Sequence, residues 1–376
     1  MPDTPEDGTM KLRALFIILA VLVVLDAGLA WRNHTRRVAA DNAGLIDRPL
    51  LDLPVLEQAH RIVIREKPQS KVLYSDEDGF EVRRIVDKDA PIRETVLERN
   101  SDQRWVVANC FGLDADPNWL GQTMRDLSQG RLIRYVTDDP KLMETLGLNA
   151  ALVRFEDEKG RVMRQLEFGH KDGGDNYQFV RLDSGSVFLA KHETELVGDP
   201  LTWIVSRLLS FEPADVREVE LPFQNTVEPP LLLRRAAHGA PFLPVEGTMP
   251  DSVSPAVEKI LTHLLTSPVM LAVSHDSPAA TVARVHLAAR LRVVLFDGRE
   301  YKINYGMVPK ETTGLKELEG NEPQSLAFAF YECSDPQDIT ARYNTKAILI
   351  YSQGATIGAL PESRAKLFAP PAGSAH

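Results

Sequence analysis

Residues 152–169 read LVRFEDEKGRVMRQLEFG, and residues 292–306 read RVVLFDGREYKINYG. Each stretch consists of two runs with alternating apolar and polar residues, which is typical of half-buried strands. Between the runs stands a glycine, Gly160 in the first stretch and Gly298 in the second. Because glycine adopts positive φ at little cost, each stretch predicts a β-hairpin. Two hairpins of the same pattern indicate that one structural module occurs twice in the chain.

The flanking sequence extends this parallel in both directions. Trp105 and Phe242 are 137 residues apart, and Gly169 and Gly306 have the same separation. Between them, Asp116-Pro117 and Ser254-Pro255 are each followed by apolar residues at spacings of three and four. Asp or Ser as the N-cap with Pro as the first helical residue predicts a helix start at both places. The sequence therefore predicts an α+β fold of two tandem duplicated modules, each an antiparallel β-sheet with a packed helix.

The predicted modules span residues 59–215 and 216–376. A second hairpin closes each module, at 177–190 and 347–360, and residues 199–209 predict a helix that bridges the modules. The second module is longer than the first between residues 308 and 344, so we expect an insertion there that forms a surface loop. We expect that deleting residues 310–322 of this insertion leaves folding intact and weakens association with a partner.

The N-terminal region contains the only long apolar run of the chain, residues 14–31. Eighteen residues at about 1.5 Å rise per residue give roughly 27 Å, which is enough for a thin hydrocarbon core. Asp26 lies near the outer end of the run, and Trp31 stands where an interfacial aromatic anchor is expected. The pattern predicts a short cytoplasmic tail (1–13), a transmembrane signal anchor (14–31) and a linker (32–58).

Two other interpretations of the apolar run remain open. The uninterrupted part, Ala14 to Leu25, has the length of a signal-peptide core, with small residues at 28–30 for cleavage. A buried helix of the globular part is the other alternative. The basic residues that flank the run number two before it and three after it, so charge alone does not determine the orientation.

Composition excludes several classes of function. The chain has 53 acidic and 43 basic residues and a net charge of −10, which disfavours binding to nucleic-acid phosphates. Its two cysteines, Cys110 and Cys333, exclude a disulfide-stapled scaffold and a cysteine-rich zinc site. They do not occupy equivalent positions in the repeat, so a disulfide between them is not favoured.

No pattern in the sequence indicates a catalytic, cofactor or metal site. The chain lacks a nucleophile elbow, a phosphate-binding glycine loop, His-Glu-x-x-His and Cys-x-x-Cys. Residues 169–176 superficially resemble a calcium loop, but they lack the distal bidentate Glu and favour a hairpin turn. His192 and His263 lie in different modules, and the Ser-containing segments 184–186 and 274–277 do not form a triad by sequence proximity. We therefore predict no catalytic, cofactor-binding or metal-ligating residue.

The order of several diffuse motifs resembles a known bacterial family. Arg104-Trp-Val-Val107 and Ala115-Asp116 precede the first helix, and Leu146-Gly147-Leu148 precedes a hairpin that ends in Leu166-Glu-Phe-Gly169. Asn176–Leu182 and Val187–Ala190 follow. This order is similar to the family known as domain of unknown function 4340 (DUF4340), over about residues 60–220 and more loosely beyond. The resemblance implies an envelope protein that accompanies an ABC transporter and its gliding-motility-type auxiliary subunit, and it supplies no catalytic residues.

Together these observations predict a non-catalytic, membrane-anchored accessory or scaffold protein of an ABC-type transport system. The expected location is the bacterial inner membrane, with a single span and the bulk of the chain in the periplasm. The expected partners are the membrane and an ABC permease or auxiliary subunit, without nucleic acid and with no small-molecule ligand indicated. The alternative is an envelope glycan- or peptide-binding module that uses a groove between the two repeats, and a cryptic hydrolase is a third hypothesis.

Overall fold

The computed structural model of the chain describes residues 44–369, except for 68, 77–78, 87–90, 149, 173–175, 210, 225–226, 267–268, 270, 278–279, 282–283, 285–286, 310–324 and 353–356. These residues divide into two compact units. Unit 1 lies within Met1–His60, Ile64–Arg93 and Gln122–Leu196, and unit 2 within Arg61–Val63, Glu94–Gly121 and Val197–His376.

The bounds of the secondary structure follow the chain order. The strands of the first half are β1 (Arg61–Glu66), β2 (Gln69–Asp76), β3 (Gly79–Val86), β4 (Arg93–Arg99), β5 (Trp105–Val107), β6 (Leu113–Asp114), β7 (Arg131–Thr137), β8 (Ala151–Glu156), β9 (Val162–Lys171), β10 (Tyr177–Arg181) and β11 (Val187–Lys191). Those of the second half are β12 (Val216–Leu221), β13 (Leu231–Arg234), β14 (Leu243–Pro244), β15 (Leu271–Val273), β16 (Leu287–Leu295), β17 (Glu300–Pro309), β18 (Ser325–Cys333) and β19 (Ile348–Ser352). The α-helices are α1 (Leu53–Gln58), α2 (Pro117–Gln129), α3 (Pro140–Met143), α4 (Pro200–Trp203), α5 (Val253–Thr266), α6 (Ile339–Asn344) and α7 (Arg364–Phe368), and short 3-10 turns occupy Glu144–Leu146, Pro213–Asp215 and Ile357–Ala359.

The strands form two large sheets and one hairpin. The first sheet has the order β6-β5-β4-β1-β8-β9-β10-β11-β7, and the second has the order β14-β13-β12-β16-β17-β18-β19-β15. Apart from β6, each strand of the first sheet has a counterpart at the same place in the second. The hairpin β2–β3 stands apart from both sheets and was not expected from the sequence. The α+β fold with antiparallel sheets is confirmed, and the shared strand order supports the predicted repeat.

The two hairpins that the alternating runs predict are both present. β8 pairs antiparallel with β9, and β16 pairs antiparallel with β17. Gly160 and Gly298 have φ values of 76° and 93°, in the region that glycine occupies without a Cβ penalty. In β9, Leu166 and Phe168 are buried while Gln165 and Glu167 are partly exposed, so the alternation separates a core face from a solvated face.

Each sheet is accompanied by an amphipathic helix. In α2, the buried residues Leu120, Met124 and Leu127 recur at spacings of four and three. The side chain of Asp116 accepts a hydrogen bond from the backbone N–H of Asn118 at 2.8 Å, so the predicted N-cap is confirmed. The prediction for Ser254 is wrong. The second helix already begins at Val253, and the Ser254 hydroxyl accepts a hydrogen bond from the backbone N–H of Phe242 at 2.8 Å instead.

The predicted insertion at 308–344 needs correction, because it contains a strand of the second sheet. β18 pairs with β17 over nine consecutive residue pairs, from Tyr301–Cys333 to Pro309–Ser325. β19 then pairs with β18, so the expected hairpin at 347–360 is in fact formed by β18 and β19. The hairpin was predicted at the wrong residues because helix α6 lies between β18 and β19, whereas a tight turn joins the corresponding strands β10 and β11. Residues 310–324 lie outside the described residues.

The predicted bridging helix at 199–209 is also shorter than expected. Asp199 caps it by accepting from the Leu201 N–H at 3.0 Å, but the helix ends at Trp203. Beyond it, Ile204 forms an antiparallel bridge with Ala115, so the backbone there is extended. The buried Trp203 ring packs edge-on against Trp119, with 6.2 Å between ring centroids. A backbone pairing that is distant in sequence therefore ends this helix.

The predicted membrane span, residues 14–31, and the tail before it lie outside the described residues. Within the part of the chain that is described, no helix combines the length and apolar character needed to cross a bilayer. The end of the predicted linker is packed: Leu50 and Leu51 are buried, and Pro49 forms an antiparallel bridge with Arg131 at the start of β7. The linker therefore joins the edge of the first sheet before it reaches β1.

Candidate functional site

Two of the motifs that carry the family resemblance meet in unit 1. Gly147 has φ 62°, and a Cβ at this position would lie 2.4 Å from the Cε1 atom of His170. A Cβ at Gly169 would lie 2.3 Å from the backbone oxygen of Leu146. Both distances are far shorter than real carbon contacts. At Gly169 the neighbour is backbone, so residue 146 crosses β9 at a distance that only glycine allows, and at Gly147 the neighbour is the His170 side chain. We call this arrangement the Gly147–Gly169 crossing.

The segment before the crossing is built by local capping. Asp139 accepts a hydrogen bond from the Lys141 N–H at 2.9 Å and starts α3, and the following 3-10 turn ends at Gly147 in the left-handed conformation. The crossing thus holds a short helical segment, residues 140–146, beside the solvated face of β9 and β10.

A row of side chains crosses the sheet beside this segment. Leu152 of β8 is directly opposite Glu167 of β9, which is directly opposite Arg181 of β10. The Glu167 carboxylate accepts hydrogen bonds from Arg181 Nη2 and, at 2.9 Å, from Gln165 Nε2. Its side chain is only 16% exposed. A charge-assisted pair held by a third polar group fixes the position of both side chains.

The row separates two shallow concavities, which share Leu148 and Glu167. The first has a volume of about 370 Å³ and is lined by Pro140, Met143, Glu144, Gly147, Leu148, Glu167 and Arg181. The second has a volume of about 190 Å³ and is lined by Arg65, Glu66, Lys67, Ile92, Leu148, Ala151, Leu152 and Glu167. Together these residues form one open surface, which we call the β9 groove.

The chemistry of the β9 groove is that of a binding surface. Ile92 is 58% exposed at one rim, and Met143 and Leu148 line the middle. Charges of both signs surround these apolar groups, with Arg65 and Lys67 toward β1 and Glu144 toward α3. Apolar side chains with a polar, mixed-charge rim suit a peptide or a protein segment. The described lining contains no nucleophile paired with a general base.

A second cluster of chemistry-bearing residues lies in unit 2, around the buried Asp114. Its Oδ2 atom is 2.7 Å from Arg342 Nη2 and 3.4 Å from Arg104 Nη1, and Lys346 Nζ is 4.0 Å from its Oδ1 atom. The Tyr343 hydroxyl donates a hydrogen bond to the Asp114 backbone oxygen at 2.9 Å. We call these five residues the Asp114 clamp. They connect the end of β6 to α6 and the residues that follow it.

The groups inside and next to the clamp are poor acids. Burial, reinforced by the Asp114 charge, raises the pKa of the Tyr343 hydroxyl far above its usual value. Burial, reinforced by Asp199, raises the pKa of the Cys110 thiol to about 11. A thiol of this kind stays protonated at neutral pH and is a weak nucleophile. The clamp therefore has the properties of a structural contact.

The cysteines, the histidines and the calcium-like segment considered in the sequence do not line the β9 groove and do not belong to the Asp114 clamp. Cys110 and Cys333 are both free thiols, and Cys110 is buried. His192 is buried beside Phe168, with 5.3 Å between the ring centroids, whereas His263 lies on the exposed side of α5. In the described part of the chain, no group of three or more His, Cys, Asp or Glu side chains is placed to hold a metal ion. β9 and β10 pair across the calcium-like segment 169–176, as the hairpin-turn interpretation predicts.

Sequence reasoning missed both the β9 groove and the Asp114 clamp. The groove depends on strand register, which places Leu152, Glu167 and Arg181 in one row although their sequence separations are irregular. The clamp joins residues more than 220 positions apart. The signals that were available are Gly147 and Gly169, since a glycine inside an alternating strand often marks the close approach of another backbone.

The sheets and the β9 groove define the chain as an α+β protein with a solvated, groove-bearing sheet face. Within that class, residues 105–264 match the model of the family described as "Domain of unknown function (DUF4340)". The predicted family resemblance is thereby confirmed, although the match begins at β5 and ends within α5, later in the chain than the expected 60–220. It includes the Gly147–Gly169 crossing. Neither a curated protein nor a solved structure matches the chain significantly.

Proposed function

We propose that the protein is a non-catalytic accessory or scaffold protein of an ABC-type, gliding-motility-like transport system. In this proposal, residues 14–31 anchor the chain in the bacterial inner membrane and the duplicated α+β modules face the periplasm. Confinement to the membrane surface raises the effective concentration of these modules near a membrane partner. The apolar run at 14–31 and the family resemblance support the location, and the β9 groove supports the role.

The apolar lining of the β9 groove around the exposed Ile92 is the observation that carries the proposal. Ile92 is 58% exposed and lines the same concavity as Leu148 and Glu167, and the Glu167 carboxylate is held by Arg181. Large apolar side chains that are exposed beside oriented polar groups mark protein contact surfaces. The glycines of the crossing, which belong to the family motifs, hold this surface in shape. We infer that the partner is contacted through this groove.

The edge of the first sheet offers a further contact by strand addition. β7 is the last strand in the sheet order, and residues 47 and 48 hydrogen bond to Leu132 near its start. Ile133 and Arg134, directly after the covered residue, are exposed. An edge of this kind accepts an extended segment of a partner through backbone hydrogen bonds.

Affinity purification of the full-length protein from native membranes in mild detergent, followed by mass spectrometry, tests the proposal. We expect stoichiometric recovery of an ABC permease or ATPase. Ile92→Asp should reduce this recovery at least tenfold, because a charge then stands at the apolar rim of the β9 groove. Val162→Asp is the matched control, since Val162 is 54% exposed against 58% for Ile92 and does not line the groove.

Two further samples separate the anchor from the groove. A variant that lacks residues 1–31 should remain folded and should lose most of the recovered partner, because it is no longer concentrated at the membrane. If the protein is recovered alone, or if Ile92→Asp and Val162→Asp retain the partner equally, the proposed contact is wrong.

A second candidate function is a binding module for an envelope peptide or glycan. The volume of about 370 Å³ beside Glu167 and Arg181 favours it, because it is large enough for one or two side chains of a bound segment. Saturable retention of residues 40–376 on purified cell-wall material would support this candidate. Loss of that retention in Ile92→Asp would assign it to the β9 groove.

A further inference from the structure

The loop from Pro241 to Ser254 in unit 2 is the repeat counterpart of the loop that the Asp114 clamp covers. The 137-residue separation of Trp105 and Phe242 persists through the following helices. It relates the buried residues of α2 to buried residues of α5: Leu120 to Val257, Met124 to Leu261 and Leu127 to Leu264. The same separation relates Asp114 to Asp251.

In the first copy, this loop is covered by a short helical segment from elsewhere in the chain. α6 and the residue pair after it contribute Arg342 and Lys346 to the Asp114 carboxylate, and Tyr343 to its backbone oxygen. Lys346 also donates to the backbone oxygen of Gly112. As a result, Asp114 is only 8% exposed. In the first copy, the loop is therefore covered by a short helical segment that carries two cationic side chains and one tyrosine.

In the second copy, the corresponding surface is open. A hollow of about 560 Å³ lies between β14 and the start of α5, with Phe242, Leu243, Met249 and Pro250 in its lining. Leu243 is 59% exposed and Val245 is 44% exposed, so the apolar part of the surface faces solvent. No basic side chain of the described residues pairs with Asp251.

The charge of the open loop is opposite in sign to that of the segment that covers the loop in the first copy. Glu246 and Asp251 are exposed acidic residues in the loop, and the segment from 241 to 254 contains no Lys or Arg. A cationic segment gains attraction to these carboxylates, and its apolar side chains gain burial in the hollow. An acidic partner lacks the first gain, and a fully polar partner lacks the second.

We propose that the loop 241–254 is a docking site for a short, cationic helical segment of another protein. A basic side chain of that segment pairs with Asp251, as Arg342 pairs with Asp114, and its apolar or aromatic side chain enters the hollow beside Leu243. The surface lies in unit 2 and uses none of the residues of the β9 groove. It is therefore a second contact that does not depend on the proposed function.

The peptide of residues 336–347, which contains α6 and Lys346, is a suitable probe because its chemistry is that of the known occupant. Isothermal titration calorimetry of the full-length protein with this peptide at low salt should show saturable binding. Asp251→Lys should weaken the dissociation constant at least tenfold, because it replaces an attraction with a repulsion. Glu158→Lys, at an exposed turn position in unit 1, should leave it unchanged.

Four results would overturn the proposal. The first is the absence of saturable binding by the unaltered protein. The second is equal binding by Asp251→Lys and the unaltered protein, which would place the peptide elsewhere, such as at the Asp114 clamp. The third is self-association of the full-length protein that Asp251→Lys abolishes, because it would assign the loop to a second copy of this chain. A peptide with Glu at both basic positions should not bind, and its equal binding would also contradict the proposal.

Discussion

At the scale of single residues, the most demanding positions are the glycines of the crossing. Gly147 combines a positive φ with a ring placed directly over its α-carbon, whereas Gly160 has a positive φ of 76° and no atom within 4 Å of a built Cβ. The two positions therefore separate the cost of backbone conformation from the cost of a clash. Gly169 links the family motif to a further physical requirement, because a Cβ there would lie 2.3 Å from the backbone oxygen of Leu146.

We predict that Gly147→Ala lowers the free energy of unfolding by about 2 kcal/mol, from the left-handed backbone and from the displacement of the exposed His170 ring together. Gly160→Ala should cost only about 1 kcal/mol, from the backbone alone. Urea unfolding of both variants measures the difference. Combining Gly147→Ala with His170→Ala should recover part of the loss, and equal losses for the two single variants would contradict the clash.

His192 makes the stability of the fold depend on pH. Burial, together with the nearby Lys171, lowers the pKa of its imidazole to about 4. An exposed histidine in the unfolded chain has a pKa of about 6.5, so the unfolded state binds the proton more tightly. The stability that the neutral ring contributes is complete above pH 6.5 and is lost as the pH falls towards 4.

We predict that this loss amounts to about 3 kcal/mol, at about 1.4 kcal/mol per unit of pKa shift. His192→Leu should remove this part of the pH dependence, while His263→Gln on the exposed side of α5 should keep it. Urea unfolding at pH 7, 5.5 and 4.5 measures the effect. A constant stability difference between the unaltered protein and His192→Leu over this range would rule out the titration of His192 as its cause.

At the scale of secondary-structure elements, α6 is the helix that local sequence patterns predict least well. It has six residues and would not be stable as an isolated helix in water. Asp338 caps it by accepting from the Thr340 N–H at 2.9 Å, and Tyr343 is buried. The helix also contacts β18, and the Asp338 carboxylate accepts a hydrogen bond from the Tyr301 hydroxyl at 2.7 Å. The Asp114 clamp adds contacts from residues that lie more than 200 positions earlier in the chain, so tertiary contacts stabilise this helix.

We predict that Arg342→Met lowers the free energy of unfolding by about 2 kcal/mol, because the buried carboxylate of Asp114 loses its shortest charged hydrogen bond. Lys366→Met is the control, since Lys366 and Glu362 form a largely exposed pair at 3.8 Å and should contribute less than about 0.5 kcal/mol. Urea unfolding compares the two. A double-mutant cycle with Asp114→Asn that gives no coupling energy would show that the pair does not stabilise the fold.

At the scale of the whole molecule, the sequence predicts the type of fold correctly and the boundaries less well. Alternation and glycine turns are local signals, so both hairpins and the helix after Asp116 are predicted at the right places. β18 was missed because it lies between a long connection and a helix that its counterpart β10 lacks. The compact units also depend on long-range pairing, since residues 94–121 cluster with residues 197–376.

The sequence by itself determined the composition class, the repeat, the strand alternation and the family resemblance, because each is encoded in residue types at short or constant spacing. Only the tertiary structure decided where the repeat is broken and which side chains meet. The β9 groove needs the register of three strands, and the Asp114 clamp needs the approach of Arg342 from the other half of the chain. Both depend on the packing free energy of the whole fold, which no local pattern reports.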